Sequence, residues 1–129
     1  MKKIKKAIPI ILSFLLLSSC SSREKSSGYR QITMEEAVVM MEEKENYIIL
    51  DVRTKEEFDG GHIPGAINIA NEEIGTEEIN ELPNKNQLIL VYCRSGRRSK
   101  EASEKLVKLG YTNVVEFGGI IDWKGEIVK

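Results

Sequence analysis

A small doubly wound α/β domain, one parallel sheet with helices on both faces, is predicted by three features of this sequence. The runs Tyr47-Ile48-Ile49-Leu50 and Leu88-Ile89-Leu90-Val91-Tyr92 are apolar along their whole length, as strands covered on both faces are. Helical patterns lie between the strand signals, the alternation that goes with parallel pairing. Thr33-Met34-Glu35-Glu36 and Thr54-Lys55-Glu56-Glu57 are capping boxes, Thr at the N-cap and Glu at N3. In such folds ligands bind beyond the carboxyl ends of the strands.

Taken in order, residues 30–32 form a short first strand, and the Thr33 box opens a helix to about Lys44. The second strand ends at Asp51-Val52-Arg53. The Thr54 box starts a short helix that Gly60-Gly61 stops. Residues 66–69 form a brief strand, and residues 72–82 a polar helix or helical turn before Pro83. The strand at 88–92 is followed by a helix over 96–109, with Ala102, Leu106 and Leu109 at helical spacing and Gly110 as its C-terminal stop. Val114-Val115-Glu116-Phe117 is the last strand, before Gly118-Gly119.

A hydrophobic fraction of 41% and a charged fraction of 30% are ordinary for a globular chain, and 129 residues support one domain. The start does not fit that composition. Lys2, Lys3, Lys5 and Lys6 precede an apolar run over residues 7–17. As a helix this run is about 16 Å long, against about 30 Å of bilayer hydrocarbon, so it reads as a signal-peptide h-region. Leu17-Ser18-Ser19-Cys20 resembles the lipobox of bacterial lipoproteins, which implies cleavage after residue 19 and lipid on Cys20. Two acyl chains suffice for stable anchoring. Residues 20–29 then read as a flexible tether and 30–129 as the domain, held outside the cytoplasm on a membrane. Loss of the four lysines leaves 15 basic against 20 acidic residues, a net charge of −5. That excludes general nucleic-acid binding. With Cys20 lipidated, Cys93 is the one thiol left, so no intramolecular disulfide can form.

The segment Cys93-Arg94-Ser95-Gly96-Arg97-Arg98-Ser99 sits where the strand at 88–92 gives way to a helix. A helix start presents free backbone N–H groups, and three nearby arginines add positive charge. Both favour the thiolate, the reactive form of cysteine. Cys93 therefore reads as a nucleophile in an anion cradle. Gly96 can take φ > 0, so that successive N–H groups converge on one point. Ser95 or Ser99 adds a hydroxyl donor, and Ser99 is a candidate cap for the helix. The sequence does not say which of Arg94, Arg97 and Arg98 points inward; at least one is expected to face solvent. Asp51 and Arg53, at the carboxyl end of a neighbouring strand, are expected to ion-pair and buttress the loop, with Arg53 as a substrate contact the second possibility. His62, the only histidine, is expected to shape its Gly-His-Ile-Pro-Gly turn, and Trp123 to anchor the core.

With Leu50-Asp51-Val52-Arg53, Glu57-Phe58, Gly61-His62-Ile63-Pro64-Gly65-Ala66-Ile67-Asn68, the Cys93 loop, and Gly118-Gly119 with Trp123, residues 30–129 resemble a single-domain rhodanese. The resemblance implies sulfur transfer. Cys93 would take sulfane sulfur from thiosulfate or a persulfide, small-molecule or protein-borne. The resulting enzyme persulfide would pass it to cyanide or a thiol, a two-step covalent exchange. It implies no metal or organic cofactor and a monomer. The loop arginines would then attract the anionic donor and stabilise the leaving group. Cysteine phosphatases carry Cys-x5-Arg, whereas here the sixth position after Cys93 is Ser99, and the six-residue loop 93–98 has the sulfurtransferase length. The alternative is a non-enzymatic module that binds a partner or carries sulfur delivered by another protein.

Overall fold

The computed structural model describes residues 28–129; the leader 1–19, Cys20 and residues 21–27 of the tether lie outside the described residues. The elements are β1 (Arg30–Gln31), α1 (Met34–Glu43), β2 (Tyr47–Asp51), α2 (Lys55–Asp59), β3 (Ile67–Asn68), β4 (Leu88–Cys93), α3 (Arg97–Lys108) and β5 (Val114–Gly119), with 3-10 turns at Asn71–Glu73 and Ile120–Asp122. The strands form one sheet in the order β1-β5-β4-β2-β3, with every pairing parallel. This is the predicted α/β architecture.

Why the central strands are apolar throughout is visible in the packing. Successive strand residues point to opposite faces, and here both faces are cores. Leu50, Ile89, Val91, Cys93 and Val114 pack with Ala102 and Leu106 of α3. Their sequence neighbours Ile49, Leu90, Tyr92 and Val115, together with Phe117, pack on the other face with Ala37 of α1. Both capping boxes form. Thr33 Oγ1 accepts from the Glu36 N–H at 3.0 Å while the Thr33 N–H donates to Glu36 at 2.8 Å. Thr54 and Glu57 repeat the pattern at 3.2 and 3.0 Å.

Three expectations are corrected. Residues 72–82 do not form a helix beyond the Asn71–Glu73 turn. Their buried residues are Ile74, Ile79 and Leu82, whose spacings of five and three do not fall on one helical face. Glu72, Glu73, Glu77, Glu78 and Glu81 would also have crowded like charges along one helix. The segment instead crosses the sheet as a loop pinned by those three apolar side chains. Tyr29, placed in the tether from sequence, is 8% exposed and belongs to the core, so the folded region begins before residue 30. Ser99 does not cap α3: the N-cap is Gly96, in the left-handed region at φ 119° and without a side-chain cap. Among the described residues no helix is long and apolar enough to cross a membrane.

Candidate active site

The carboxyl ends of β2, β4 and β5 lie side by side. Asp51 is in register with Tyr92, and Cys93 with Gly119, so the two segments singled out from sequence do meet at one end of the sheet.

Cys93 ends β4 fully buried. The chain turns immediately through Gly96, whose N–H donates to Cys93 Sγ at 3.0 Å. Several converging N–H groups were expected; Gly96 supplies the one backbone N–H recorded on Sγ among the described residues, and the second polar neighbour is the Ser99 hydroxyl at 3.5 Å. Cys93 has no exposed surface. The loop is clasped from behind by β5 and the turn after it: the Ile121 N–H donates to the Arg94 carbonyl at 3.3 Å. At Gly119 a β-carbon would stand 2.0 Å from the Arg94 oxygen and 2.6 Å from Ser95 Cα. Position 119 is glycine because the loop backbone occupies the side-chain space.

The three arginines separate. Arg94 and Ser95 are exposed, and Arg94 has no ion-pair partner among the described residues. Arg97 faces solvent and pairs with Glu101 one turn on, at 3.0 Å. Arg98 turns back across the domain and grips Glu57 with two bonds, of 2.9 and 3.1 Å. The bond from Arg98, reinforced by donors from Thr54, holds the Glu57 carboxyl down at about 2. Arg98 is raised in turn, mainly by its bond to Glu57 and to a smaller extent by the charges of Cys93 and Glu72. Arg98 is thus a fixed cation in electrostatic reach of the sulfur, and Glu57, read from sequence only as a helix cap, is what fixes it.

The pair gives a pH dependence. Glu57 is depressed in the folded protein from an ordinary 4.5, so its contribution to stability is full above pH 4.5 and lost as pH falls towards 2. The side chains are 21% and 31% exposed, which limits the contribution to about 1 kcal/mol. Glu57→Gln is expected to flatten urea-measured stability against pH between 4.5 and 2. An unchanged slope would show that the pair adds nothing.

Asp51 and Arg53 do pair, and both are buried. Arg53 Nε and Nη2 engage both carboxylate oxygens, at 2.7 Å for the closest contact, and Nη2 also donates to the Gly61 carbonyl at 2.7 Å. Tyr92, which the sequence reading did not single out, donates its hydroxyl to Asp51 Oδ2 at 2.6 Å and accepts the Ile63 N–H at 3.2 Å. Burial foremost, then the bond to Asp51, pushes the Tyr92 phenol well up. The cluster ties β2, β4 and the turn at 61–63 together beneath the loop, while Arg53 is committed to Asp51 and Gly61. His62 serves that turn: Nδ1 lies 2.8 Å from the Phe58 carbonyl, the ring stacks on Phe58 at 3.6 Å, and the backbone bridges Val128. Trp123 packs against the α1-side core.

Glu116 was missed. It is 2% exposed and its Oε2 accepts the Ser99 hydroxyl at 2.5 Å and the Gly118 N–H at 3.0 Å. The available signal was a carboxylate inside an otherwise apolar strand. Among the described residues no cluster of His, Cys, Asp or Glu is arranged to hold a metal ion.

Comparison with known proteins places this geometry in a family. The chain is 36% identical over 118 residues to YrkF of Bacillus subtilis, named as a candidate sulfur carrier protein, covering 91% of this chain and 63% of YrkF. It is 41% identical over 73 residues to thiosulfate sulfurtransferase PspE of Escherichia coli, covering 57% and 70% of the two chains. A solved E. coli rhodanese with anions superposes with a TM-score of 0.59 at 38% identity, over 64% of this chain and 98% of that one. This chain thus spans less than two thirds of YrkF. Residues 33–126 match the profile of the Rhodanese-like domain, and the chain belongs to that family.

Proposed function

We propose that this protein is a sulfurtransferase that carries sulfane sulfur on Cys93, taking it from thiosulfate or a persulfide and giving it to a thiophilic acceptor, cyanide or a thiol. The observation that carries the reading is the Gly96 N–H aimed at Cys93 Sγ, with Arg98 held by Glu57 in electrostatic range. In the first step the Cys93 thiolate attacks the outer sulfur of the donor, the S–S bond breaks, and sulfite or a thiolate leaves with the bonding pair. In the second, the acceptor attacks the outer persulfide sulfur and Cys93 leaves as thiolate. Arg94, exposed and unpaired, is the side chain best placed to meet an anionic donor. The first-turn N–H groups of α3 have no intrahelical acceptor and suit the anionic outer sulfur. The lipobox at Cys20 supports an extracytoplasmic protein tethered to a bacterial membrane by lipid. The relationship to YrkF supports a second reading, a carrier that receives its sulfur from another protein.

Thiosulfate:cyanide turnover of the full chain is expected to fall to the uncatalysed rate in Cys93→Ser. Equal rates for the two proteins would contradict the enzyme reading.

A further inference from the structure

Behind Cys93 lies a second ionisable side chain, Glu116, with no ion-pair partner among the described residues. Glu116 Oε2 receives the Ser99 hydroxyl at 2.5 Å and the Gly118 N–H at 3.0 Å, and Oε1 faces Gln31 Nε2 at 3.4 Å. None of the ion pairs among the described residues includes it. Ser99 Oγ is also 3.5 Å from Cys93 Sγ, 2.9 Å from the Gly96 carbonyl and 3.4 Å from the Gly118 carbonyl. One hydroxyl proton thus sits between a thiol and a carboxylate, both buried, with the carboxylate its shortest contact. If both ends were anionic, two like charges would be separated by a single hydroxyl in a low-dielectric core, which disfavours double ionisation. No uncommitted cation is recorded beside the pair among the described residues. Tyr29, before β1, feels the charges of Glu104 and Glu116 and is itself neutral when protonated. Gln31 of β1 is uncharged, and Arg98 of α3 is committed to Glu57 on the sulfur side.

We propose that Glu116 is a positioning residue for Cys93 that holds the thiol proton through Ser99. When Cys93 ionises, its S–H bond breaks and the proton goes to Ser99 Oγ, while the proton of Ser99 passes to Glu116 Oε2. The chain S–H to Oγ–H to carboxylate becomes carboxyl O–H to Oγ–H to S⁻. The charge of the buried pair stays at minus one, and Ser99 ends as a donor to the thiolate. The proton stays on Glu116 through both displacements, so neither step has to exchange it with solvent. The inference rests on Cys93 being the reacting sulfur, and it is tested on the thiolate itself rather than on turnover.

The measurement is the ultraviolet thiolate absorbance of the full chain against pH, taken as the difference from Cys93→Ala, which removes the contributions of Cys20 and the tyrosines. A shared proton gives the wild type two steps that belong to the pair, whereas Glu116→Gln is expected to show one. A single identical step in both proteins would overturn the proposal. Should Glu116→Gln not fold, infrared spectra of wild type and Cys93→Ala decide. The stretch of a protonated carboxyl is expected at neutral pH in the wild type and lost in Cys93→Ala. Its absence from the wild type, or its equal presence in both, would overturn the relay. Persulfide forming on Cys93 despite such a result rejects the relay alone; no persulfide despite a two-step titration rejects the sulfur-transfer reading alone.

Discussion

Gly119→Ala is expected to cut sulfur transfer by about 100-fold while leaving the protein folded. The residue has φ −138°, a conformation any residue adopts, so the substitution introduces no backbone strain. Its effect is steric. The new methyl would lie 2.0 Å from the Arg94 oxygen, 2.4 Å from its carbonyl carbon and 2.6 Å from Ser95 Cα, all backbone that cannot rotate away. Reaching ordinary contact moves the loop by about 1 Å, and a misplacement of that size at a reacting centre can cost about 10²-fold in rate. The loop is the part of the structure that carries Sγ and its Gly96 donor, so the cost falls on chemistry rather than on the core. Gly75→Ala is the control: it is exposed and a β-carbon there meets nothing within 4 Å. Turnover in Gly119→Ala equal to that of Gly75→Ala would show that the clasp between β5 and the loop does not matter.

Asp51→Ala is expected to destabilise the domain by about 3–5 kcal/mol, because it strands a buried partner charge. Asp51 is fully buried and Arg53 is 6% exposed. Without the carboxylate, the Arg53 guanidinium keeps one hydrogen bond, to the Gly61 carbonyl, and its place over the Tyr92 ring, and the Tyr92 hydroxyl loses its acceptor. Set against the ~5–15 kcal/mol of a typical domain, that is a large fraction of stability, and urea midpoints at constant slope measure it. Tyr92→Phe removes the hydroxyl that donates to Asp51 and accepts the Ile63 N–H but leaves Asp51 paired with Arg53, so a smaller loss of about 2 kcal/mol is expected. Equal losses for the two variants would mean that the ion pair is not what holds this corner.

The sheet plan was legible because its signals are local. Two fully apolar runs announced strands buried on both sides, and two capping boxes fixed helix starts to the residue. The segment at 72–82, read as a polar helix or helical turn, forms only the turn at Asn71–Glu73. Its fate was decided by where Ile74, Ile79 and Leu82 could reach the core, which is a tertiary matter. At the site, Cys93, the loop arginines and the Asp51–Arg53 pair could be read from residue type and spacing. The partners that give them their settings could not. Glu57 meets Arg98 across 41 residues, as Tyr92 meets Asp51, and Glu116 meets Ser99 across 17. Those meetings depend on strand order and register: only once β4 lies between β2 and β5 do Tyr92 and Asp51 become neighbours and Glu116 come to lie behind the sulfur.

The most direct test is the mass of the peptide bearing Cys93 after thiosulfate treatment of the folded chain and removal of excess donor. A gain of one sulfur atom at Cys93, discharged by cyanide, is the expected result. A folded protein whose Cys93 peptide keeps its original mass, or whose added sulfur is found only on Cys20, would contradict the account.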